Sequence, residues 1–313
     1  MTPPVTTTTT RDHDHDHDPV PPPPATAAIR PARRRSFNRA RMFTVMRTDL
    51  RHLAESKDFW IPMVILGGFF FLIVPAIMLS IITTIGGVDA VQQVTQALEL
   101  LPQSAQQAVP QGVDSSAKVS YVLAVYMFAP IAVVVPLTIS TAVGASTIVG
   151  ERERGTGESL AHSPADVREI YLGKLIASLI PGYLTTIVGF GIYSLVVNLL
   201  VGRQVGGWFF PTASWWLLIL WVLPPFMAIA LSLVLRLSAR VKSTAAAQQA
   251  SGLVTFPLIL IAYSQSTGTL LGSGTPVLAF VIGVVAWIIA AALLATGFRS
   301  LTRARLLGVA NEQ

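Results

Sequence analysis

The densest run of reactive side chains is Glu151-Arg152-Glu153-Arg154-Gly155-Thr156-Gly157-Glu158-Ser159-Leu160-Ala161-His162-Ser163-Pro164, followed by Asp166, Arg168, Glu169 and Gly173-Lys174. Nine of the chain's 38 charged residues fall within 151–174, although the whole chain is only 12% charged. Thr156 can cap a short helix with Glu158 in its first turn, and Ser163-Pro164 closes it. A short helix parallel to the membrane with this charge pattern is a docking knob for a cytoplasmic protein. The plain alternative is a charged loop that only anchors the topology.

A second concentration is Asp12-His13-Asp14-His15-Asp16-His17-Asp18. Imidazole and carboxylate suit zinc, nickel or copper, which makes His13, His15 and His17 candidate metal ligands. The alternative is a solvated charged tail, because a flexible tract has no preorganised geometry. Around it, residues 1–37 are low in complexity, with Thr6–Thr10 and Pro21–Pro24, and read as a disordered cytoplasmic tail.

Several chemistries are missing from the sequence. There is no cysteine, which excludes a cysteine nucleophile, thiolate zinc sites, iron–sulfur clusters and disulfides. No Gly-x-x-x-x-Gly-Lys-Ser/Thr phosphate loop occurs; Gly173-Lys174 is followed by Leu175 and lacks the upstream glycine. The histidines are His13, His15, His17, His52 and His162, all placed in aqueous or interfacial segments. The apolar stretches carry no acid or base in their cores, which argues against proton coupling and intramembrane proteolysis. Catalytic residues are expected to be absent. If the protein moves solute uphill, the energy must arrive from another polypeptide.

The elements that position the charged loop are membrane spans. Of 313 residues 52% are hydrophobic, and the charged fraction is about half of the ~25% usual in soluble domains. About 20 apolar residues cross a hydrocarbon core. Six stretches qualify, at 59–85, 119–149, 170–201, 214–235, 245–265 and 276–298, with 150–169 as the loop between the second and third. Twenty of the 22 basic residues lie before the first span, after the second and fourth, and in the tail 299–313. Only Lys118 and Arg203 fall on the other side, so both termini are expected in the cytoplasm. The net charge of +6 then orients the spans, and nucleic acid is not an expected partner. The 58 residues before the first span do not fit a cleaved signal peptide, so that span is expected to stay as an anchor.

Residues 38–58 place Met42, Phe43, Met46, Leu50 and Leu53 at helical spacing, opposite Arg39, Arg41, Arg47, Asp49, Arg51 and Glu55. This predicts an amphipathic helix in the inner leaflet surface, with packing on a soluble partner as the alternative. Between the first two spans, Val91, Val94, Leu98 and Leu101 mark a short helix in an extracytoplasmic cap or gate, ended by Pro102.

Glu151-x-Glu153-x-Gly155-Thr156-x-Glu158-x-Leu160, then Ser163-Pro164 and Gly173-Lys174, resembles the signature of type-2 ATP-binding-cassette (ABC) permeases. These are six-span membrane subunits of exporters for drugs, polysaccharides, lipids or other cargo. The layout matches over about residues 38–305, and Gly157 departs from the leucine or other helix former usual there. The resemblance implies an all-α membrane protein with six transmembrane helices, preceded by an interfacial helix, in the cell membrane. It implies a coupling helix in which Glu151, Arg152, Glu153, Arg154, Gly155, Thr156, Glu158, Leu160, Ser163 and Pro164 meet an ABC ATPase subunit. It implies two permease copies, identical or related, and ATP with Mg2+ bound on the ATPase rather than on this chain.

In related exporters the second and fifth spans line the passage. Here they carry Thr138, Ser140, Thr141 and Thr147, and Gln248, Gln249 and Thr255. Such hydroxyls also serve simply to bond their own backbone or a neighbouring helix. An uncharged lining suits amphipathic, lipid-like or apolar small-molecule cargo. The competing reading is a non-transporting scaffold or assembly factor that recruits a soluble protein through the same loop.

Overall fold

The computed structural model describes residues 37–85, 103–153, 163–238 and 276–300, with residues 243, 245, 246, 249, 252, 255 and 256. Among the described residues every regular element is a helix. α1 spans Arg39–Glu55, and the Asn38 side chain caps it by accepting from the Ala40 N–H at 2.9 Å. At Ser56 the backbone turns extended (φ −91°, ψ 111°), and α2 begins at the next residue and covers Lys57–Thr84. The short α3 is Gln103–Ala108. α4 covers Ser115–Thr147 and continues helical to Glu153. α5 covers Val167–Val205, α6 Ala213–Ser238 and α7 Pro276–Ser300.

α2, α4, α5, α6 and α7 are each long and apolar enough to cross a membrane. They coincide with the stretches expected at 59–85, 119–149, 170–201, 214–235 and 276–298. The stretch 245–265 lies outside the described residues apart from positions 245, 246, 249, 252, 255 and 256, as do the Asp/His tract, the 91–101 helix and residues 301–313. The lipid-facing sides are apolar: Ile65, Leu199 and Ile288 are 64%, 65% and 64% exposed. Water would penalise such surfaces, whereas acyl chains solvate them.

α5 is the organising element. Its 39 residues make a rod of about 58 Å, well beyond a hydrocarbon core of about 30 Å. Asp166 and Glu169 form a capping box at its start, and Gly206, at φ 97°, ends it in the left-handed conformation that suits glycine. Toward its far end Tyr193 stacks on Trp215 (5.5 Å) and meets Phe210 edge-on (5.2 Å).

α2, α4 and α6 each contain a π turn, at Phe69–Ile73, Leu123–Met127 and Leu218–Val222. Widening the helix opens its carbonyl ladder to outside donors. Tyr193 Oη donates to the Ala124 carbonyl at 2.6 Å, Trp215 Nε1 to the Val125 carbonyl at 2.9 Å, and Tyr183 Oη to the Ile219 carbonyl at 3.3 Å. α6 and α7 lie side by side in the same direction: Trp221 stacks on Phe280 at 5.2 Å, and Arg236 bonds the Leu293 carbonyl and Thr296.

Candidate coupling site at the base of the charged loop

α1 packs along the first turns of α5. Met42 is buried, and Val45, Met46, Leu50 and Leu53 are half-buried on the same face. Gly173 permits this crossing, because a Cβ there would lie 2.9 Å from the Val45 Cβ and 3.0 Å from the Met42 carbonyl oxygen. The periodicity places this apolar face in the inner leaflet surface. In the structure most of that face packs on α5, and Phe43 at its edge is 53% exposed.

Asp49, expected on the polar face, is instead turned toward α5. Its side chain is 12% exposed and meets Lys174 Nζ at 3.4 Å. The reason is spacing: position 49 follows 42, 45 and 46 by seven, four and three residues, so it falls on the buried stripe. Lys174 itself is 1% exposed, and its ammonium also donates to the Thr147 carbonyl at 3.1 Å. A buried ammonium demands acceptors of this kind.

The start of α1 is attached to the same region. The Asn38 N–H donates to Glu169 Oε1 at 2.6 Å, while Glu169 Oε2 accepts from the Asp166 N–H at 2.8 Å. Arg41 Nη1 donates to the Pro164 carbonyl at 3.0 Å. α1 is therefore held to the returning limb of the loop at positions 164, 169, 173 and 174. Through Lys174 it is held to the outgoing limb at Thr147. On α1's exposed side Arg51 bonds Glu55 at 2.7 Å, which holds that carboxyl below its usual range; solvent screening leaves the pair little weight.

Glu151 and Glu153, with Arg152 between them, form the last helical turn of α4. Ser163 is half-buried and Pro164 exposed on the far side of the loop. Arg154, Gly155, Thr156, Glu158 and Leu160 lie outside the described residues, as do Gln248 and the histidines of the tail. In α4, Thr138 is exposed and donates to the Val134 carbonyl at 2.8 Å; Thr141 is buried and donates to Leu137 at 2.7 Å. Thr147 donates to Gly144 at 2.9 Å and lies 3.5 Å from Ser178 Oγ, and Ser140 is buried against Gly182. Gln249 is exposed and Thr255 buried. Sequence reasoning did not assign Asn38, Asp49 and Glu169 to the site. The spacing of Asp49 and the Asp166–Glu169 capping-box interval were the available signals.

A family model described as ABC-2 family transporter protein matches residues 43–273, from within α1 to beyond α6, and takes in the loop with both limbs. The chain belongs to the ABC-2 transporter family. No curated protein matches it at a significant level. The permease is a multi-pass protein of the cell membrane and a membrane subunit of an ABC transporter. Such permeases pair with an ABC ATPase subunit, which carries the ATP hydrolysis.

Proposed function

We propose that the permease forms the substrate pathway of an ATP-driven exporter and takes up the ATPase's movement through residues 151–164. The observation that carries this reading is the convergence of α1, the end of α4 and the start of α5 at the base of that loop, tied by Glu169 and Lys174. A force on the loop thereby reaches three elements at once. In this reading Glu151, Glu153 and Glu158 meet basic or polar groups of the ATPase, and Arg152 and Arg154 its acidic ones. ATP and Mg2+ are held by the ATPase, in keeping with the lack of a phosphate loop in this chain.

The parallel course of α6 and α7 supports a crossing between them, and so six spans with both termini on one side. Two permease copies would enclose a passage with Thr138, Ser140, Thr141, Thr147, Gln248, Gln249 and Thr255 as candidate lining. Its uncharged character favours amphipathic or apolar cargo. Purification of the permease from membranes that co-express its ATPase tests the reading, followed by ATP-dependent transport in proteoliposomes. Replacing Glu151, Glu153 and Glu158 by Lys should abolish coupling and leave the spans folded. If no ATPase co-purifies, the scaffold reading takes its place.

A further inference from the structure

Lys174 stands where three chain segments meet. It belongs to the returning limb of the charged loop, its ammonium reaches the Thr147 carbonyl on the outgoing limb, and Asp49 Oδ2 approaches it from α1. Both charged side chains are withdrawn from water, Lys174 at 1% and Asp49 at 12% exposure. Separating them would leave each charge in a poor solvent, so the cheaper response to a push on the loop is joint movement. The remaining contacts act in the same sense. Asn38 is bonded to Glu169, Arg41 to the Pro164 carbonyl, and Val45 rests on Gly173.

Beyond α1 the helix breaks at the single residue Ser56, whose N–H closes on the His52 and Leu53 carbonyls. The first span starts at Lys57. A displacement of α1 thus passes to α2 across one extended residue.

We infer that Lys174 is the positioning residue that makes α1, and through the Ser56 pivot the first span, follow the movement of the 151–164 loop. The inference rests on the coupling role proposed above for that loop. Lys174, withdrawn from the surface, acts through Asp49 and Thr147.

The absence of cysteine makes paired spin labels straightforward. The full permease–ATPase complex is placed in lipid nanodiscs with labels at Ile288→Cys on the exposed face of α7 and at either Arg168→Cys or Thr48→Cys. Distances are read without nucleotide and after trapping with ATP and vanadate. Both pairs should shift on trapping. In Lys174→Met the 168–288 shift should persist and the 48–288 shift should shrink at least twofold, the Asn38, Arg41 and Val45 contacts remaining. Asp49→Asn keeps an acceptor and the fold while losing the charge, and should reduce the 48–288 shift at least twofold. Lys174→Arg, which keeps a cation able to reach both Asp49 and the Thr147 carbonyl, should retain it. A 48–288 shift unchanged in Lys174→Met and Asp49→Asn overturns the inference, as does a 168–288 shift with no 48–288 shift in the unmutated pair. Should Lys174→Met fail to reach the membrane, Asp49→Asn compared with Lys174→Arg decides. A complex in which the 168–288 distance never responds to nucleotide refutes the coupling role of the loop instead.

Discussion

Val45 of α1 rests against the bare Cα of Gly173 in α5, so closely that a methyl group there would stand 2.9 Å from the valine Cβ. The third neighbour is the Met42 backbone carbonyl, which has no rotamer to change. Gly173→Ala should therefore push α1 off α5 and cost about 1–3 kcal/mol, as overpacking does. A lower thermal midpoint of the purified protein in detergent checks this. An unchanged midpoint would contradict the close crossing.

Two further glycines of α5 form an internal comparison. At Gly182 a Cβ would lie 2.1 Å from Ser140 Oγ and 2.6 Å from the Pro136 carbonyl oxygen, whereas at Gly191 nothing lies within 4 Å. Gly182→Ala should lower the midpoint by separating α4 from α5. Gly191→Ala should leave it equal or raise it, since alanine gains up to about 1 kcal/mol over glycine within a helix. The same measurement on both variants shows whether the crossing or the helix propensity governs.

Tyr193→Phe removes the donor to the Ala124 carbonyl in the π turn of α4. Interhelical bonds in membranes average about 0.6 kcal/mol, so a loss of that order up to about 1.7 kcal/mol is expected. Trp215→Phe removes the donor to the adjacent Val125 carbonyl. Because both donors serve one turn, the double variant should deviate from the sum of the singles, read from a double-mutant cycle of thermal midpoints.

Glu169→Ala deprives the Asn38 and Asp166 N–H groups of their shared carboxylate. Hydrogen bonds to a charged group contribute about 1.5–3 kcal/mol each, so amide exchange in the first turns of α1 should accelerate at least tenfold. Exchange confined to α1 and the start of α5 is the expected pattern, with the centre of α5 protected as before. Exchange in α1 at the wild-type rate would show that the Arg41 and Asp49 contacts suffice.

The spans and the special character of the 151–174 segment followed from one-dimensional quantities. Apolar runs long enough to cross a bilayer and clustered charge are properties of neighbouring residues, and they sufficed for α2, α4, α5, α6 and α7. Distances between residues 49, 147 and 174 are not written in any local pattern. Lys174 read as one more charge of a cytoplasmic loop, and Asp49 as one more polar residue of an amphipathic helix. Only packing showed them as a buried pair, because the close approach of α1 to α5 depends on the missing side chain at Gly173. The same holds for Tyr193, Trp215 and Tyr183. Their apolar bodies suit any membrane helix, and the carbonyls they serve exist only once π turns in neighbouring helices open them.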